Sequence, residues 1–195
     1  MDVGTTASFE EMLGRHAAPT LVGIKAGSLL SFRKDRYRDF NALLASYQPC
    51  FSCKGLSTFR VAEGEAFVLI LFYREAALME TMQKAFAVPE ARRLLESFGY
   101  RVDDTLGDLL EHLRLRMRLR KSFPHEIGLF LGYPPEDVVG FILHKGQDFC
   151  YSGYWKVYAN ERETRALFER YSLCTHEFCT RLEEGAAFPE LVQAV

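Results

Sequence analysis

The stretch STFRVAEGEAFVLILFY, Ser57 to Tyr73, decides the fold. Two runs of strand character flank Gly64-Glu65. The first alternates polar and apolar residues, the mark of a strand with one wet face, and the second is almost wholly apolar, the mark of a strand covered on both. A two-residue Gly-X connection suits a type II′ turn with glycine first. The pattern therefore predicts an antiparallel hairpin of strands at 57–63 and 66–73, with the second strand central in a sheet.

Working outward, Ser8 can cap a short helix through about Ala17. Thr20 to Lys25 then reads as a strand, broken by Ala26-Gly27-Ser28. A helix from about Lys34 to Tyr47 carries Tyr37, Phe40, Leu43, Leu44 and Tyr47 at helical spacing, and Pro49 is expected to end it. Downstream, Glu75–Ala87 and Pro89–Phe98 read as helices, the second with proline in its first turn and Gly99 just beyond its end. Asp103 or Asp104 is expected to cap a further helix to about Lys121, with Leu106, Leu109, Leu110, Leu113 and Met117 on one stripe.

The segment FPHEIGLFLGYPPEDVVGFI, Phe123 to Ile142, is dense in glycine, proline and aromatics. Ser122 as a cap, Gly132 as a turn and Pro134-Pro135 as a restart predict a tight helix-turn-helix hairpin over 123–145. Tyr154–Ala159 reads as the last strand, and Asn160 can cap a final helix to about Glu183. The expected architecture is α+β: one domain over residues 1–195, with a small, mostly antiparallel four-stranded sheet near 20–25, 57–63, 66–73 and 154–159 packed with helices.

A net charge of −2 and an apolar share of 48% describe a globular chain without the basic excess of a wholesale nucleic-acid binder. No apolar run approaches the roughly 18 residues that span a bilayer. The acidic start MDVGTTASFEEM does not resemble a secretory signal, and five cysteines, an odd number, do not resemble a disulfide framework. Cytoplasmic localisation and no membrane contact are the expectations.

Phe123–Ile142, together with HAAPTLVGIKAGSLLSF, Tyr73-Arg74 and GYWKVYANE, resembles an uncharacterised family of clostridial and other anaerobic Firmicutes, domain of unknown function 3793. The resemblance covers nearly the whole chain, departing at Ala26-Gly27 where the family pattern has proline. It implies a bacterial protein of anaerobes, near redox or iron physiology, and carries over no activity, cofactor or catalytic residue.

Several residues could carry chemistry. His125 and Glu126 are acid–base candidates, but neighbours on a helix diverge by about 100°, so they cannot readily serve one ion. HEIGL has Leu129 where a zincin needs its second histidine. His16, Lys25, Tyr154, Lys156 and Tyr158 are candidates for holding a ligand, with a lysine between two tyrosines suited to an anion. Cys50 and Cys53 form a lone CxxC, and only His176 and Cys179 offer to complete a metal site with them. The LRLRMRLRK segment, Leu113 to Lys121, could supply phosphate contacts, although the helix meant to enter DNA would carry Glu136 and Asp137 and little to read base edges. The first expectation is a binding protein for an unidentified protein or small-molecule partner. An enzyme using His125 and Glu126 on an anionic small molecule comes second, and a helix-turn-helix DNA regulator third. No cofactor is implied.

Overall fold

The computed structural model describes residues 3–119 and 123–194. In chain order the elements are α1 (Val3–Leu21), β1 (Gly27–Arg33), α2 (Phe40–Cys53), β2 (Ser57–Glu63), β3 (Phe67–Tyr73), α3 (Glu75–Ala87), α4 (Pro89–Ser97) and α5 (Leu106–Leu119). They continue with α6 (Ile127–Phe130), α7 (Pro135–Leu143), β4 (Tyr151–Ser152), β5 (Lys156–Val157), α8 (Glu161–Glu183) and α9 (Phe188–Leu191). The mixed class is the expected α+β. The chain gathers into two compact units, one of residues up to Glu75 and from Tyr171 onward, the other of Ala76–Arg170. No linker in the sequence marks the division, and α8 gives residues to both.

In the first unit β3 lies between β1 and β2, antiparallel to each. The central place of β3 follows from its apolar run, and Val68, Ile70, Leu71 and Phe72 are all buried. The turn differs in detail from its sequence reading. Gly64 lies outside the left-handed region and its N–H donates to the Phe67 carbonyl at 2.9 Å, so Glu65 and Ala66 make the turn and not Gly64-Glu65. A bulge at Val61, between Arg60 opposite Ile70 and Ala62 opposite Leu69, absorbs the resulting shift.

The strand expected at 20–25 is not there. Phe9, Leu13, Ala17 and Leu21, spaced by four, are all fully buried, and that stripe carries α1 through Pro19 to Leu21. Residues 22–25 close the helix, with Ile24 N–H donating to the Pro19 carbonyl at 2.9 Å. The strand begins at Gly27, so Ala26-Gly27-Ser28 opens β1 instead of breaking a strand. Likewise Lys34–Arg36 is only a 3-10 turn, and α2 starts at Phe40, capped by Asp39, whose carboxylate accepts from Ala42 N–H at 2.9 Å. Pro49 does not end α2. Tyr47 and Phe51, stacked at 5.8 Å and buried on either side of it, carry the helix on to Cys53.

Arg74 ties this unit together. Its buried guanidinium donates to the carbonyls of Thr20 (3.1 Å), Leu21 (2.5 Å), Gln193 (2.7 Å) and Lys54. These are carbonyls at the ends of α1 and α2 and of the C-terminal segment, groups that helices leave unpaired. Burial lowers the Arg74 pKa.

In the second unit α3 keeps its expected span, and α4 ends at Ser97, one residue short of the expectation. The cap of α5 is Thr105, not Asp103 or Asp104: the Thr105 hydroxyl accepts from Asp108 N–H at 3.2 Å while the Asp108 carboxylate accepts from Thr105 N–H at 3.1 Å. The Ser122 cap and the end of that helix near Lys121 fall outside the described residues. Within the stretch 123–145, α6 is a single turn, Ile127–Phe130, followed by the longer α7. Gly132, at φ 79°, turns the chain out of α6, and Tyr133 N–H closes it on the Gly128 carbonyl at 2.9 Å.

The expected strand 154–159, and with it the single four-stranded sheet, is also corrected. β4 and β5 form their own two-stranded antiparallel sheet, pairing Tyr151 with Val157 and Ser152 with Lys156. The strand stops at Val157 because the next two N–H groups, of Tyr158 and Ala159, donate to the Asp137 carboxylate.

Candidate functional site

Asp137 organises the site. It sits in the first turn of α7, where the helix dipole favours a carboxylate, and it is only 1% exposed. Oδ1 accepts from Tyr158 N–H at 2.7 Å and Ala159 N–H at 3.0 Å, and Oδ2 accepts from the Trp155 indole N–H at 2.7 Å. One side chain thus fixes the β4–β5 hairpin onto α7 and aims the tryptophan ring. That ring stacks on Tyr133 at 4.4 Å and 25° and meets Phe168 edge-on at 4.5 Å.

Between α6, α7 and the hairpin lies a cavity of about 320 Å³, near the lower end of the roughly 300–1,000 Å³ usual for small-molecule sites. Its walls are largely aromatic, from Tyr133, Phe141, Tyr154 and Trp155, over a base of Ile127, Gly128 and Val138. Gly128 is needed there, since a Cβ would stand 2.9 Å from both the Tyr133 ring and the Val138 side chain. The polar lining comes from His125, Ser152 and Lys156, besides Asp137. His125 is exposed at the rim, with its ring 4.9 Å from Phe141. Lys156 is half-buried. Its ammonium donates to the Gly146 carbonyl at 2.5 Å and lies 4.6 Å from the Phe149 ring.

Glu126 faces elsewhere. Its carboxylate, 1% exposed, is paired with the buried Arg116 guanidinium, with the Tyr100 hydroxyl 3.5 Å away. Arg116 also lies over the Phe98 ring at 4.2 Å. Burial, with the Glu126 charge beside it, raises the Tyr100 pKa. His125 and Glu126 are therefore neighbours in the turn before α6 that point to different surroundings.

Of the other candidates, Tyr154 and Lys156 join His125 at the cavity, and Tyr158 does not. Its ring stacks on His144 at 5.6 Å and 26°, and its buried hydroxyl has no hydrogen-bond partner among the described residues. His16, exposed on α1, and Lys25 belong to the first unit. The Lys25 ammonium is 3.5 Å from the Ser28 hydroxyl, and burial lowers its pKa to about 8. Cys50 and Cys53 lie in the last turn of α2 and His176 and Cys179 on α8. Among the described residues no three or more His, Cys, Asp or Glu side chains gather closely enough to hold a metal ion. Burial raises the thiol pKa of Cys50 and Cys179, and that of Cys174 to about 11. Along the basic segment, Arg116 is withdrawn inside and Arg114 pairs with Glu111, while Arg120 and Lys121 lie outside the described residues.

Sequence reasoning missed the roles of Asp137, Arg116 and Arg74. For Arg116 a signal existed: it follows Leu109 and Leu113 at the same helical spacing, an arginine on an apolar stripe that calls for a buried acidic partner. Asp137 showed only as one of two acids in a first turn.

Fold and site define an α+β protein whose second unit holds an aromatic cavity edged by a lysine and a histidine. The chain belongs to the family described as Protein of unknown function (DUF3793), which it matches over residues 13–192. No curated protein and no solved structure matches it. Among the described residues no helix is long and apolar enough to cross a membrane.

Proposed function

We propose that the protein binds a small, mainly apolar molecule in the cavity between α6, α7 and the β4–β5 hairpin. The observation that carries this reading is the aromatic cavity of about 320 Å³, one of whose lining rings, Trp155, is held in place by a buried carboxylate. A wall fixed before the ligand arrives lowers the ordering cost of binding. Acid–base catalysis by His125 with Glu126 gains no support from their placement, because Glu126 is engaged with Arg116 away from the cavity.

Trp155 is the single tryptophan, so its emission reports on the cavity directly. Titration with the neutral dye N-phenylnaphthylamine should give saturable energy transfer from Trp155. Ser152→Phe, at an exposed position of the rim, should weaken it by about tenfold or more, a loss of ~1.4 kcal/mol. Absence of saturable transfer, or binding indifferent to Ser152→Phe, removes the reading.

A further inference from the structure

Resting on that reading of the cavity, we infer that its ligand is a planar aromatic monoanion, a one- or two-ring system bearing a carboxylate or similar group. The rings lie among Tyr133, Phe141, Tyr154 and Trp155 and the anionic group meets the Lys156 ammonium.

Three observations lead there. The lining is aromatic: Phe141 and Tyr154 stand at the cavity beside the Tyr133–Trp155 stack, and rings of this kind favour an aromatic partner over a branched aliphatic one. The lining also selects by charge. Its carboxylate, Asp137, already accepts from Trp155, Tyr158 and Ala159 and is only 1% exposed, so it offers little to a cationic ligand. An anion, by contrast, finds Lys156, with His125 at the rim.

Thirdly, the lysine is held in place and does not extend freely into solvent. Lys145 and Gly146 take left-handed conformations in succession, φ 52° and 73°, and in that turn the Gly146 carbonyl receives one Nζ proton. The Phe149 ring at 4.6 Å and the Phe141 ring at 5.9 Å flank the same ammonium. An ammonium carries three donors, and among the described residues one of them is spent, on Gly146. A half-buried, oriented cation beside aromatic walls binds an anion more strongly than a solvated surface lysine does.

The test compares two dyes with the same rings, anilinonaphthalene sulfonate and N-phenylnaphthylamine, by energy transfer from Trp155 in the full chain at low ionic strength. The sulfonate is expected to bind at least about tenfold tighter than the neutral dye. Lys156→Met should bring that ratio to about one and Lys156→Arg should preserve most of it, with unliganded Trp155 emission and thermal midpoint showing that each variant is folded. If neither dye reaches Trp155, the binding reading itself fails. If both bind alike in the wild type, or the sulfonate preference survives Lys156→Met, the cavity remains a binding site and the anion inference is overturned. Should Lys156→Met not fold, the wild-type ratio and its retention in Lys156→Arg decide.

Discussion

Replacing Arg116 by methionine tests the buried ion pair that sets the course of the chain into α6. The Arg116 side chain is 8% exposed and that of Glu126 1%, so the substitution leaves a buried carboxylate whose remaining hydrogen-bond partner among the described residues is the Tyr100 hydroxyl, 3.5 Å away. Methionine replaces much of the arginine stem, so lost packing is a minor part of the effect. Removing one partner of a buried pair costs about 3–5 kcal/mol, a large share of the roughly 5–15 kcal/mol that holds a domain folded. For a chain of this length each kcal/mol moves the thermal midpoint by about 2–4 °C, so a fall of roughly 6–20 °C is expected. Urea unfolding followed by Trp155 fluorescence reads the second unit, where the single tryptophan lies. The control is Arg116→Met with Glu126→Leu, which removes both charges and should recover to within about 1 kcal/mol of the wild type. A cost below about 1 kcal/mol for Arg116→Met alone, or a double variant as damaged as the single one, would refute the reasoning.

Two further expectations concern single groups. Tyr158→Phe deletes a buried hydroxyl that has no partner among the described residues, so stability should hold or rise by about 1 kcal/mol in urea unfolding; a loss above ~1 kcal/mol would show that the hydroxyl is bonded in solution. Lys25→Met should stabilise the fold at pH 7, because burial lowers the Lys25 pKa to about 8 from the usual 10.5. Between those values the unfolded chain binds more protons than the folded one, so the wild type gains stability as pH rises, and the burial penalty is full below about pH 8. The advantage of Lys25→Met should therefore shrink between pH 7 and 9.5, and an equal advantage at both pH values counts against it.

The sequence reveals those parts of the fold where neighbouring residues decide. The order and pairing of β2 and β3 follow from an apolar run beside an alternating one, and α3 and α4 from periodicity and a first-turn proline. Thr20–Lys25 misled because a short apolar segment suits either a strand or the end of a helix, and only the four-residue stripe from Phe9 to Leu21 resolves it. Tyr154–Ala159 misled for a different reason: two of its N–H groups go to a carboxylate about twenty residues earlier, a partner that no local pattern contains. The candidate site divided in the same way. That His125 and Glu126 would diverge was expected from the sequence, although they do so in the turn before α6 and not on a helix, whereas the cavity, assembled from residues between Phe123 and Lys156, depends on the hairpin folding back onto α7.

The two units use buried polar groups differently, and the contrast bears on function. In the first, Arg74 spends its donors on carbonyls at the ends of α1 and α2 and of the C-terminal segment, so its work is complete once the chain has closed around an aromatic core. In the second, Asp137 and the Arg116–Glu126 pair act on the segments on either side of the cavity, one holding the hairpin that bears Trp155 and the other anchoring the residue next to His125. Apolar side chains could hold these segments with no desolvation of charge and often as stably. What carboxylates and a guanidinium add is direction, because hydrogen bonds fix a ring or a turn at one angle where packing alone tolerates several. A closed core has little use for such direction, but a cavity needs it for its walls to stay apart, and this is the physical argument for the proposed binding site between α6, α7 and the hairpin.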